Sequence, residues 1–367
     1  MDEIVFKNST DAFLVCLNAV KDRGNIVSPR GMETKELLNQ KIVIINPVQR
    51  CIVLPERNDD IVAKVAETLW QLAGRNDIEW LSKYLPRARE FSDDGIVWRG
   101  AYGPRLRDWN GQQTIIDQVK YVARKLVDDP DTRQAVISIW NPAIDCHPGK
   151  DIPCNNWLHF YIRNGKLNLN IAQRSSDVVW GFSGIDAFSW SVLHEMMAHW
   201  TRTQVGDFTY FISSLHVYER HYKKLDAILE AYADRTIYDF DPPSVEYHGE
   251  FIDLDYELES LWVAESKMRE VGWSTQIEHI IEGWEEENEL FYTFLLILAM
   301  GNYAKMKDHN SVQLAHIINL IPPSDFRMAA VEWVSRRSLD VLPHLRLRPV
   351  EKQALSNVIP SIAVRLS

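Results

Sequence analysis

Apolar residues recur at helical spacing between residues 60 and 75, where Ile61, Val65, Leu69 and Leu72 share one face and Gly74 closes the run. The spacing predicts a helix there. A second helix is expected over residues 111–127, ended by the turn DDPDTR, and the run AVISIW that follows reads as a buried strand. Strict alternation takes over in WLHFYIR (157–163) and KLNLNIAQ (166–173), joined by Asn164-Gly165. Both central residues of so short a hairpin turn take positive φ, which Asn and Gly tolerate. A long apolar helix is expected at about 186–202, a strand over GDFTYFISSLHVY, and a helix over ERHYKKLDAILEAYA. Hairpin strands mixed with helices indicate an α+β fold rather than a doubly wound sheet.

Beyond residue 240 the texture changes. PPSVEYHGEFIDLD is a turn-rich connector, and residues 255–340 read as successive amphipathic helices, clearest in GWEEENELFYTFLLILAMGNYAK. The expected organisation is a catalytic domain over 1–240 and a mostly helical C-terminal extension over 241–367, serving in packing or oligomer contact.

Composition narrows the function. A chain with 46% hydrophobic and 25% charged residues supports a full core. A net charge of -11 disfavours nucleic acid and anionic membrane as partners, so an anionic small substrate needs a local basic pocket. The four cysteines, Cys16, Cys51, Cys146 and Cys154, form neither a CxxC pair nor a zinc spacing. No secretory signal or membrane-length apolar run is present, so free thiols in a cytoplasmic setting are expected (host cytoplasm for a phage protein).

Cys154 follows Ile152-Pro153 and precedes Asn155-Asn156 and a strand. A lone cysteine is more often a small core residue than a nucleophile. A reactive thiolate needs cations or donors nearby, and QRSSDVVWGF, about twenty residues on, could supply them or could equally be an edge strand with a solvated Arg174.

The run PCNNWLHFYIRNGKLNLNIAQRSSDVVWGF resembles the signature of the thymidylate synthase family. AETLWQLAGRNDI, GAYGPRLRDW, DDPDTRQAVISIWNP and VGDFTYFISSLHVYERH resemble further family motifs in the same order, covering residues from about 20 to 230. RSSDVVWGF and SSLHVYERH look closer to the family's dCMP and CMP hydroxymethylases than to thymidylate synthase itself. The resemblance implies a thymidylate synthase-like fold, a homodimer, and 5,10-methylenetetrahydrofolate as co-substrate with a pyrimidine nucleoside monophosphate; it implies no metal.

The same resemblance implies roles for individual residues. Cys154 would attack C6 of the pyrimidine, with Glu67 organising water and proton transfers. Arg174 would lower the thiol pKa and, with Ser175 and Arg30, bind phosphate; Arg133 would reach the partner's phosphate across the dimer. Gln173 would order the site and Tyr102 would line it. His216 and Tyr218, at alternating strand positions, would hold the sugar hydroxyl. Asp177 would bond the pterin ring, with Gly181 beside it. Gln134 stands where the family has a second arginine, Asn155 where a histidine commonly follows the cysteine, and LPRAREFSDDG where a Trp-rich stretch packs on the folate.

Thymidylate synthases read uracil with an asparagine. Allowing one inserted residue in FSGIDAFSW, Asp186 takes that place. An aspartate accepts from the cytosine amino group, and a mispaired buried edge is costly, so a cytosine nucleotide is the expected substrate, with water rather than hydride completing the reaction. The competing role for Asp186 is a helix N-cap ahead of FSWSVLHEMMAHW. The alternative substrate is dUMP. Alternatives of another class are a non-catalytic homologue serving in binding or assembly, and a cysteine hydrolase using His159 or His147, around which no hydrolase signature stands.

Overall fold

Asn164 and Gly165 turn the chain with φ of 53° and 73°, the paired left-handed conformation that closes a tight hairpin. They join residues 155–163 to residues 166–173, neighbouring strands of a mixed sheet. A computed structural model describes residues 4–111, 114–307 and 309–366. The chain divides into two compact units, residues 1–50 with 66–225 and residues 51–65 with 226–367.

Among the described residues the first unit carries ten strands. In chain order they are β1 (Ile4–Phe6), β2 (Asn25–Val27), β3 (Thr34–Ile44), β4 (Trp109–Asn110), β5 (Ile115–Ile116), β6 (Val136–Ser138), β7 (Asn155–Arg163), β8 (Lys166–Gln173), β9 (Ser176–Asp177) and β10 (Gln204–Tyr218). The main sheet runs β1-β3-β10-β8-β7-β6, with β2 on β3 and β9 on β10, while β4 and β5 pair separately. β10 is antiparallel to β3 and parallel to β8. Its longer helices are α1 (Ser9–Arg23), α2 (Ile61–Leu72, counted here from Ala66), α3 (Gln118–Asp128) and α4 (Ala187–Trp200), and α5 (Tyr222–Ala231) is counted here only to Leu225.

Alternation along β8 and β10 fixes which face is covered. Leu169 and Ile171 align with Phe208 and Tyr210, and these four, with Leu167 and Ile212, are buried against α4 and the segment before it. His194 of α4 reaches the Leu167 carbonyl at 2.7 Å. The opposite face is only half-covered, and leaves Phe211 and Val136 exposed.

Three expectations are revised here. AVISIW supplies only β6, three residues at the sheet edge with the burial pattern exposed, buried, exposed, so it is an edge strand rather than a buried one. The helix expected over 111–127 starts at Gln118, because Asp117 caps it by accepting from the Lys120 N–H at 2.8 Å; Gln112 and Gln113 lie outside the described residues. The apolar helix near 186–202 is α4, preceded by a nine-residue π-helical segment, Val178–Asp186. A π-turn is wider than an α-turn, which suits the one-residue insertion the motif comparison required.

The second unit is helical, as α6 (Leu254–Val271), α7 (Glu289–Tyr303), α8 (Ser311–Leu320), α9 (Asp325–Ser335) and α10 (Pro349–Val358) show. Within GWEEENELFYTFLLILAMGNYAK the acidic start is separate, and α7 is buried all round from Leu290 to Gly301 rather than amphipathic. A helix apolar on every side sits at the centre of its unit. Arg327 and Glu351 form a buried ion pair there, and Trp333 Nε1 donates to Asp60 Oδ1 at 2.8 Å. Among the described residues no helix is long and apolar enough to cross a membrane.

Candidate active site

The hairpin brings the residue before β7 beside those after β8. Asn155 pairs with Gln173, the Arg174 N–H donates to the Cys154 carbonyl at 2.9 Å, and Cys154 Sγ lies 3.8 Å from Ser175 Oγ. The Arg174 guanidinium is fixed by three bonds: Nε to Pro153 O at 2.9 Å, Nη2 to Ile152 O at 2.6 Å and Nη1 to Ser175 Oγ at 3.0 Å. It remains exposed, a cation held over the turn that presents the thiol. Such a fixed cation beside a hydroxyl suits a phosphate.

Gln173 is the hinge between thiol and acid. Its Nε2 donates to Asn155 Oδ1 at 2.9 Å and to Asp186 Oδ2 at 2.7 Å. Asp186 is 5% exposed, sits in helical backbone, and makes no capping bond to α4. The N-cap alternative for this residue is therefore set aside; Asp177 caps the π-helical segment instead, accepting from the Val179 N–H at 2.9 Å. Buried polar atoms near the same acid, Gln173 Oε1 and Tyr210 Oη, have no hydrogen-bond partner among the described residues. A ligand offering both donors and acceptors fits such a lining.

Burial pushes the Asp186 carboxyl up to about 7, opposed by the Asn155 and Gln173 amides and reinforced by Asp151. Glu67, on α2, is pushed up to about 8 by burial and by the Asp186 charge, against a bond from Gln71 Nε2 at 3.3 Å. Both acids hold protons more readily than solvated carboxylates do. Cys154 departs from expectation. Arg174 does favour its thiolate, but burial comes first, and the Asp186 and Asp151 charges add to it, so the net shift is upward and the resting residue is a thiol.

The remaining residues fall into place unevenly. Tyr102 stacks on Trp190 at 5.3 Å, and its hydroxyl is raised by burial and then by Asp186, Cys154 and Asp151, which puts it among them. His216 and Tyr218 share one face of β10, rings edge-on at 5.0 Å, with Asp177 paired to His216 across β9. Gly181 lies in the π-helical segment, where a Cβ would sit 3.1 Å from Ser176 Oγ. Arg30, in left-handed backbone with φ 54°, is close enough to favour the Asp151 carboxylate. Arg133 is exposed and bonds through its backbone to His159; among the described residues no bond joins it to the group around Cys154. The sequence reading missed Asp151 and Trp98, whose Nε1 donates to Asp151 Oδ2 at 2.7 Å. Their signal was an acid three residues before the nucleophile and the WRG run just before the Tyr-Gly motif. Among the described residues no three His, Cys, Asp or Glu side chains are grouped to hold a metal ion.

Comparison with known proteins matches residues 11–243 to the family model described as thymidylate synthase. A deoxyuridylate hydroxymethyltransferase of Bacillus phage SP01 is 38% identical over 254 residues, covering 66% of this chain and 66% of the relative. A deoxyuridylate hydroxymethyltransferase of Delftia phage PhiW-14 is 34% identical over 227 residues, covering 59% and 62%. One of Pseudomonas phage M6 is 29% identical over 302 residues, covering 80% and 82%. The chain thus spans just under two thirds of the length of the first two relatives. With the family model covering well over half of its residues, and the cysteine, arginine and Tyr-Gly motifs of that family gathered about one hairpin, this chain belongs to the thymidylate synthase family.

Proposed function

We propose that this chain is a folate-dependent 5-hydroxymethyltransferase acting on dUMP. The observation that carries the reading is the buried Asp186, held by Gln173 beside Cys154 and pushed up to about 7. A neutral carboxylic acid has one acceptor and one donor, like the amide of asparagine. It can accept from uracil N3–H and donate to O4. An ionised carboxylate would accept from N3–H but face the O4 acceptor unpaired, which is costly in a buried site. An aspartate is therefore compatible with uracil, and the names of the three phage relatives support dUMP over the cytosine nucleotide put first on the sequence alone. The cytosine reading stands second: with the proton on the other oxygen, the same acid complements N3 and N4 of cytosine.

In this account Cys154 Sγ adds to C6 and makes C5 a carbon nucleophile. Arg174 favours the thiolate, and once the base holds Asp186 neutral, one of the two charges opposing ionisation is gone. Arg174, Ser175 and Arg30 hold the phosphate, and His216 with Tyr218 the sugar hydroxyl. Glu67, largely protonated at neutral pH, serves as a proton carrier. Asp177, whose Oδ1 is used in capping, offers Oδ2 to the pterin, beside Gly181. The folate, when bound, supplies a one-carbon unit at the oxidation level of formaldehyde; Asn155 and the segment LPRAREFSDDG shape the pocket so that water completes the reaction. A second copy is placed against the half-covered sheet face that carries Phe211 and Val136, with Arg133 turned toward the partner's phosphate.

The test is product analysis by mass spectrometry. Methylenetetrahydrofolate is supplied with dUMP, dCMP and CMP in separate reactions. Gain of one CH2O unit on dUMP is the expected result. Turnover of a cytosine nucleotide alone selects the second reading, and no product from any of the three rejects both.

A further inference from the structure

Besides Asp177, which caps the π-helical segment, the site holds three buried or half-buried acids, Asp151, Asp186 and Glu67, and the reaction needs a base for water. We propose that Asp151 is the general base that takes a proton from the water completing hydroxymethylation, an assignment that rests on the water-addition reading above. Asp151 stands three residues before Cys154 on the same irregular segment. Its Oδ2 is fixed by Trp98 Nε1 at 2.7 Å. Trp98 is in turn fixed by stacking on Phe91 at 4.9 Å with rings 13° apart. Phe91 belongs to LPRAREFSDDG, the segment that replaces the family's Trp-rich stretch, so the departure from the family pattern is what secures this acid. Gly100 leaves the carboxylate its room: a Cβ there would lie 2.3 Å from Asp151 Oδ2.

The other two acids are unsuited to the task. Asp186 is committed to Gln173 and to the base edge. Glu67 is bonded to Gln71 and is pushed up to about 8, so at neutral pH it mostly carries the proton a base must lack. Asp151 is also raised by burial, but it alone of the three has cations working against that rise, Arg174 and Arg30, along with the Trp98 bond. Its charge is felt by Glu67, Tyr102, Cys154 and Asp186, so it lies in the midst of the reacting groups. Water must lose a proton as its oxygen bonds to the exocyclic methylene on C5. In the proposed step that proton passes to the Asp151 carboxylate, and the electrons of the methylene double bond move into the ring as an enolate at O4. Collapse of the enolate forms C5=C6, breaks the C6–S bond and releases Cys154 as thiolate. A positioned general base contributes about 10²–10⁴-fold to such a step.

The experiment measures two quantities in one reaction with dUMP carrying tritium at C5: tritium released, which reports attack and deprotonation at C5, and hydroxymethyl product. In Asp151→Asn the product formed per tritium released falls by roughly a hundredfold. Added 2-mercaptoethanol, whose thiolate needs no base, captures the methylene in its place. Loss of the Asp151 charge also removes one of the groups holding the Cys154 thiol up, so tritium release falls far less than product does. A product-to-tritium ratio equal to that of the unaltered protein overturns the assignment, as does a parallel fall in both, which is the mark of a structural role. Should Asp151→Asn fail to fold, Trp98→Phe keeps the ring stack but frees the carboxylate; the ratio must fall there too, and an unchanged ratio overturns the proposal. A methyl product from the unaltered protein refutes the water-addition reading itself, and this assignment with it.

Discussion

At the scale of single residues, the proposed reading of the base rests on Asp186. Its neutral form complements uracil, and burial raises its carboxyl from the ordinary 3.8 to about 7. The KM for dUMP should therefore rise with pH above about 7, as the neutral form is lost, and Asp186→Asn should flatten that limb while keeping dUMP turnover. A variant whose KM climbs with pH as before would show that another group sets the limb. Linkage gives a second consequence. Between 3.8 and about 7 the folded chain holds a proton that the unfolded chain releases, so stability falls as pH rises through that window. Asp186→Asn removes this term, and its stability relative to the unaltered protein should be greater at pH 8 than at pH 5 by at least about 1 kcal/mol. An identical difference at both pH values, in paired thermal melts, contradicts the raised carboxyl. Cys154, Arg174 and Asp186 were legible in sequence because motifs carry them. The upward shift of the thiol was not, since it comes first from burial, and then from Asp186 and from Asp151, which no motif announces.

At the scale of elements, the hairpin was legible to within a residue or two because Asn164-Gly165 fixes its turn and alternation fixes its faces. AVISIW was misread because a short apolar run has the same appearance at the edge of a sheet as inside it. The π-helical segment was visible only as an insertion, for its i, i+5 bonding leaves no periodicity of its own in nine residues. β10 contains a similar irregularity: its register with β8 shifts between Val205 and Phe208. There Gly206 passes close to β8, and a Cβ would lie 2.7 Å from the Leu167 carbonyl and 2.6 Å from Asn168 Oδ1. Gly206→Ala should destabilise the protein by about 1–3 kcal/mol, since backbone must move to admit the methyl. Denaturation that matches the unaltered protein would mean the bulge yields without strain.

At the scale of the whole molecule, a net charge of -11 surrounds a site that, in the proposed function, holds a phosphate. The local cations, Arg174 and Arg30, act against a repulsive field, and their reach is screened by salt. The repulsion and the attraction are both weakened, but the close cations dominate binding, so raising monovalent salt from about 50 to 500 mM should raise the KM for dUMP several-fold and change kcat less. A KM that falls with salt would assign control to the acidic surface instead. The second unit was legible as helical but not in its packing: α7 is central because it is apolar all round, while the charges that join its neighbours, such as Arg327 and Glu351, look solvated in the sequence. The match to the Pseudomonas phage M6 relative covers 80% of the chain, more than residues 11–243 can supply, so part of the second unit is shared with that protein. The central claim is that Cys154 bonds to the pyrimidine, and intact-protein mass spectrometry after incubation with 5-fluoro-dUMP and methylenetetrahydrofolate tests it most directly. The account predicts one nucleotide and one folate added per chain, mapped to the peptide containing Cys154 and absent from Cys154→Ser; an adduct on Cys146, or none at all, contradicts it.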